Sequence, residues 1–158
     1  AWVLACLAAF TSGAESAEKT DAHFLFLELQ RQLRDEPGSP KAPARLFGLG
    51  EYYFRMNNLG QAERCFREAD GKAKTGAQTL LTRVYLAEIA RLKNGDADPE
   101  ELQRLKESLS HKRFFSVFGE AHRYRWTSDL ANDYVLYEHV DRMEVYLNGS
   151  LFYTISLP

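Results

Sequence analysis

The sequence predicts a mainly α protein: antiparallel helix pairs followed by a small C-terminal antiparallel β-hairpin or three-stranded element. Three observations carry this. From Leu46 to Ala69, the run LFGLGEYYFRMNNLGQAERCFREA holds two helical periods separated by Asn57-Asn58. Leu80, Leu81, Val84 and Tyr85, then Leu102, Leu105 and Leu109, repeat helical spacing on either side of Asn94-Gly95. After Lys112 the composition changes: ten of the twenty aromatic residues lie from Phe114 onward, so this end is read as strands.

A chain of 158 residues suits one domain, or one domain with a small appendage. Its 45% hydrophobic and 27% charged residues are ordinary for a globular protein. The net charge of -2 gives no reason to expect nucleic acid or an anionic membrane surface as partner. The composition divides the chain into a leader and tether (1–20), a helical region (21–112) and an aromatic-rich β element (113–158).

The opening AWVLACLAAF carries no charge and is too short to span a membrane. It has the character of the apolar part of an export signal. Ala1 is preceded by neither an initiator Met nor a basic leader, so the start of the protein is expected to be missing. Val3-Leu4-Ala5-Cys6 resembles a bacterial lipobox, which implies lipidation at Cys6 and a membrane association through that anchor alone. Cleavage after Ala14 or Ala17 and a buried apolar turn are the alternatives. Cys65 is expected to pack as a small hydrophobe, with a Cys6–Cys65 disulfide as the other option in an oxidising compartment.

The elements follow in order. TSGAESAEKT reads as a polar tether, and Asp21 can cap a helix to about Asp35. Phe26, Leu29 and Leu33 form its apolar stripe, widened by Phe24, Leu25 and Leu27. Pro37-Gly38 stops it. Ser39 is an N-cap candidate for a helix over about Pro40–Met56, although Pro43 delays regular hydrogen bonding. Asn57-Asn58 supplies the turn, because Asn tolerates the left-handed conformation. A helix over about Leu59–Ala73 completes the pair, with Gly50 and Ala62 small where the two approach and Tyr53 and Phe66 beside them. The second pair spans Thr79–Lys93, with Leu80, Leu81, Val84, Tyr85, Ala87 and Leu92 as core candidates, and a helix ending near Ser110. Asp98-Pro99-Glu100-Glu101 has the form of a capping box. Tyr134–Tyr137 and Met143–Leu147 read as strands, and Asn148-Gly149 as a type I′ hairpin turn. Simple pairing about that turn places Val145 opposite Phe152 and Tyr146 opposite Leu151. A third strand is expected from about Tyr124–Thr127 or Tyr134–Val140, since a lone hairpin is marginal. Both hairpin faces carry apolar groups, so one face should cover the helices and leave the other for a partner or a missing neighbouring element.

Leu49, Gly50, Tyr53, Ala62, Phe66 and Ala69 stand at the spacing of a tetratricopeptide repeat. The segment Glu36–Ala69, opening EPGSPKAPARLFGLGEYYF, resembles the repeats of bacterial envelope tetratricopeptide proteins, including the outer-membrane-assembly lipoprotein and Tol-Pal coordinator families. The resemblance is strong over about a fifth of the chain and weak over about half. It implies a non-catalytic periplasmic scaffold that binds a protein partner. In such repeats the first helix of each pair lines a concave groove. By position, Phe47, Glu51, Phe54 and Arg55 would face it, joined by Glu88 and Arg91 from the second, degenerate pair. Aromatic floor residues with alternating charges suit a peptide or a partner helix.

Catalytic and metal patterns are missing from the sequence. His23, His111, His122 and His139 lie far apart, with no HxxxH or HExxH spacing, and no Gly-rich phosphate loop, GxSxG or CxxC occurs. Glu120/His122 and Asp141/His139 read as neighbouring charges on polar turns rather than acid–base pairs. Asn148-Gly149-Ser150 is formally a glycosylation sequon, better explained by the turn. The run HRYRW, His122–Trp126, could stack on a base or a sugar, and equally alternates as a strand. The expectation is therefore a scaffold or adaptor without cofactor, metal or enzymatic activity, exported to the periplasm and anchored at Cys6. The alternative is the N-terminal part of a larger secreted protein whose β region is a carbohydrate-binding module, because VYLNGSLFYTI resembles the hairpins of such domains.

Overall fold

The computed structural model describes residues 21–72, 76–110, 123–139 and 141–156. Cys6, the lipobox and the tether lie outside the described residues, as do His111, Glu120, His122 and Val140. The described chain is mainly helical, with a C-terminal four-stranded antiparallel sheet.

Helix α1 covers residues 21–35. Its stripe is narrower than expected: Phe26 and Leu29 are buried and Leu33 is partly so, whereas Phe24, Leu25 and Leu27 are exposed. The Phe26 ring stacks on Tyr52 at 4.0 Å, so a single face of α1 meets the next helix. That helix, α2, runs Ala42–Arg55. Lys41, not Ser39, is its N-cap. The Ser39 hydroxyl instead accepts from Lys41 N at 3.2 Å and its carbonyl accepts from Ala42 N at 2.9 Å, in the turn leading into the helix. Pro43 sits in the first turn, where its missing N–H leaves no hydrogen bond unmade.

Asn57 has φ 58°, and its N–H reaches Phe54 O, so the left-handed residue closes α2 as the sequence suggested. Asn58 then caps α3, Leu59–Ala69, by accepting from Gln61 N at 3.2 Å. This helix stops four residues short of Ala73, with Gly71 at φ 75°. A Cβ on Gly50 would lie 2.8 Å from the Phe66 ring, so α2 and α3 approach as closely as they do only because residue 50 has no side chain.

Helix α4, Gly76–Asn94, is buried on several sides: Leu80, Leu81, Val84, Tyr85, Leu86, Ala87 and Ile89 are all covered, while Leu92 is exposed. Helix α5, Pro99–Ser110, buries Leu105 against it. Asp98 Oδ1 accepts from Glu100 N, which is half of a capping box. Glu101 does not complete it, because its buried carboxylate binds Arg67 Nη2 on α3 at 2.7 Å.

The β element is a four-stranded meander rather than a hairpin or three strands: β1 (Arg123–Thr127), β2 (Asp133–Glu138), β3 (Arg142–Leu147) and β4 (Ser150–Ser156), in the order β1-β2-β3-β4. Both segments proposed as a third strand contribute one. Asn148 and Gly149 have φ 49° and 84°, the two positive values a type I′ turn needs. Tyr146 pairs with Leu151 as expected, but Val145 pairs with Tyr153, not Phe152. A β-bulge at Val145/Tyr146 adds one residue to β4. Phe152 and Tyr153 thereby both pack on the core. Gly149→Ala is expected to cost about 1 kcal/mol through its left-handed conformation, a fall of about 2–4 °C in Tm readable by circular dichroism. An unchanged Tm would mean that this turn does not limit stability.

The inner face of the sheet, with Tyr134, Leu136, Met143, Val145 and Ile155, joins Phe47, Phe66, Leu81, Val84 and Tyr85 of the helices in one core. A smaller core of Phe26, Leu29, Leu49, Cys65 and Leu130 lies under α1.

Candidate functional site

The residues predicted to line a partner groove fall at the junction between the helices and the sheet. Phe47 is fully buried, its ring 5.1 Å from Trp126 and 5.9 Å from Tyr134 of the sheet, and 5.3 Å from Phe66. Phe54 is partly buried between Tyr85, at 5.1 Å, and Phe152, at 6.2 Å. Aromatic rings held edge to face at these distances add to the stabilisation from burial. The chain's own β-sheet therefore covers Phe47, Phe54 and Tyr85. Arg55 and Arg91 remain exposed at the rim, and Arg91 pairs with the half-buried Glu88 at 2.6 Å.

Glu51 does not face an open groove either. Only 3% of it is exposed. Its Oε2 accepts from Tyr134 Oη at 2.5 Å and from Asn132 Nδ2 at 2.8 Å. The Tyr85 and Tyr134 hydroxyls are 2.6 Å apart. Since Tyr134 donates its single proton to Glu51, Tyr85 donates to Tyr134. Glu51 Oε1 is buried without a hydrogen-bond partner among the described residues. Burial pushes the Glu51 carboxyl up to about 7; the hydrogen bonds from Tyr134 and Asn132 and the neighbouring Ser128 hydroxyl oppose the rise, and the charge of Asp129 adds to it. Relative to an unfolded carboxyl, the penalty is absent at low pH, grows as pH climbs through the acid range to about 7 and is complete above it. Its full size is about 3 kcal/mol.

The repeat-spaced residues serve packing. Leu49, Ala62, Phe66 and Ala69 are buried, Gly50 admits the Phe66 ring, and Tyr53 is partly buried beside Phe26. Cys65 is a buried free thiol, and burial first, then Glu68, pushes it up to about 11, which makes it a poor nucleophile. Among the described residues no cluster of three metal-ligating side chains occurs, and no helix is long and apolar enough to cross a membrane.

The outer face of the sheet offers the open concavity, of about 580 Å³. Strand pairing sets Arg125, Val135, Tyr146 and Leu151 in one row and Arg123, Tyr137, Glu144 and Thr154 in the next. Tyr137 and Tyr146 meet edge to face at 5.4 Å, and the Arg123 guanidinium lies 5.6 Å over the Tyr137 ring. Arg125 pairs with Asp133 at 2.8 Å, and His139 pairs with Glu144. The strand alternation of β1 and β2 could have located this face from sequence, since Arg123, Arg125, Val135 and Tyr137 share one parity. Nothing local in the sequence pointed to Ser128 and Asn132 as neighbours of Glu51.

No protein-family model, curated protein or solved structure matches this chain.

Proposed function

We propose that this chain is a non-catalytic protein-interaction adaptor of the bacterial envelope, built on tetratricopeptide-like helix pairs, that engages its partner through the outer face of its sheet. The observation that carries this reading is the concavity around Tyr137, Tyr146, Arg123 and Arg125, backed by a packed core. Tyr and Arg are the residue types that anchor protein interfaces, and here Tyr137 and Tyr146 are partly buried on a preorganised sheet with Arg123 and Arg125 exposed beside them. The helical groove is a poorer candidate for the docked molecule, because the sheet already fills it. The envelope location is supported by the opening AWVLAC and by the resemblance of Glu36–Ala69 to envelope repeats, and the Cys6 anchor by the opening alone.

The test compares two sets of surface substitutions in the full chain, after cross-linking in the native cell. Arg123→Glu with Tyr137→Ala is expected to abolish capture of the partner. Arg55→Glu with Arg91→Glu, on the groove rim, is expected to leave it intact. The reverse pattern would return the partner to the helical rim. A second reading has its own observation. Arg125–Asp133 and His139–Glu144 set donors beside acceptors on either side of two tyrosine rings, an arrangement that also suits the vicinal hydroxyls of a sugar. Retention on immobilised glycan, lost in the sheet variant, would favour that carbohydrate-binding alternative.

A further inference from the structure

Glu51 is a carboxyl-bearing residue at the centre of an aromatic interface, and its position is unusual in three respects. It comes from α2, yet both of its side-chain hydrogen bonds go to the β element, to Tyr134 on β2 and Asn132 in the β1–β2 turn. Oε2 takes both donors, which leaves Oε1 as the atom for the proton of a neutral carboxyl, and Oε1 is buried and otherwise unpaired. The groups facing it are Tyr134 from β2, Ser128, Asp129 and Asn132 from the turn, and Tyr85 from α4 through Tyr134. None is a cation, and Asp129 is an anion. From α1 and α3 no titratable group reaches it within hydrogen-bond distance among the described residues.

We infer that Glu51 is a proton-controlled latch between the helices and the sheet: neutral, it holds the sheet docked, and ionised, it releases the sheet from α2 and α4. The physical reason is desolvation. A neutral carboxyl fits this site with two donors satisfied. An ionised one is buried with one oxygen bare and an Asp nearby, and regains hydration only if the sheet lifts. Release would uncover the aromatic faces of Phe47, Phe54 and Tyr85, which the sheet now covers. The latch does not depend on the adaptor reading.

The test uses the full chain with Trp2→Phe, so that Trp126, beside Phe47, is the sole tryptophan. Tryptophan emission and amide-exchange protection are followed from about pH 5 to about pH 9. Emission should move to longer wavelength as pH rises through the window between the ordinary carboxyl range and about 7, where the penalty develops. Protection of β2 and β3 amides, corrected for intrinsic exchange, should fall about a hundredfold, while α3 amides hold. Glu51→Gln should remove the transition. Tyr134→Phe should move it to lower pH, because the neutral carboxyl then holds the sheet by one hydrogen bond fewer while the released carboxyl is unchanged. The Tyr134→Phe shift decides the matter if Glu51→Gln does not fold. A transition that survives Glu51→Gln belongs to another group and overturns the latch. Loss of α3 protection in step with the sheet also overturns it, because Glu51 would then act on global stability alone.

Discussion

Gly50→Trp is expected to leave no folded helical layer at ambient temperature. A Cβ alone at this position would stand 2.8 Å from Cε1 and Cζ of Phe66. Phe66 cannot swing aside: it is fully buried, stacked on Tyr85 at 4.5 Å and edge to face with Phe47. Small insertions into a tight core cost about 1–3 kcal/mol. An indole demands separation of α2 from α3 and a loss of roughly 5 kcal/mol or more, near the whole stability of a marginal domain. The gain in helix propensity on replacing glycine is under about 1 kcal/mol and does not compensate. Circular dichroism should show either no cooperative melt or a midpoint tens of degrees lower. A wild-type melting curve would mean that the α2–α3 contact is not built as described.

The second large effect is expected at Phe47→Ala, a loss of about 3–5 kcal/mol. Phe47 is the ring that touches every layer: Phe66 on α3, Tyr85 on α4, Trp126 on β1 and Tyr134 on β2. Removing it opens a cavity between rings that stiff neighbours cannot refill. The urea midpoint should fall steeply, and Trp126 emission should shift even before unfolding. Phe54→Ala, at the partly buried edge, should cost clearly less. Equal effects at the two positions would contradict the central place given to Phe47.

These two residues also show where reading the sequence succeeded and where it stopped. Gly50, Ala62 and Phe66 were legible as a helix–helix contact because helical periodicity and residue size are local properties. Phe47 and Glu51 were assigned to the same helix face correctly, and that face was expected to meet a partner. Which surface covers it depends on a contact with residues about eighty positions away, and no local signal carries that information. The hairpin is similar: Asn148-Gly149 specified the turn, while the bulge that admits both Phe152 and Tyr153 to the core depends on the shape of the helices beneath.

The sequence by itself determined the helices, their stops at Asn57 and Gly95, the I′ turn and the two-residue alternation of the strands. Each follows from backbone conformation and side-chain period within a few residues. Only the tertiary structure decided that the sheet has four strands, that it lies over Phe47 and Phe54, and that Glu51 is buried against Tyr134 rather than hydrated. Those outcomes come from desolvation and close packing between segments distant in the chain, where a carboxyl's charge state and a groove's occupant are set by what is folded onto them.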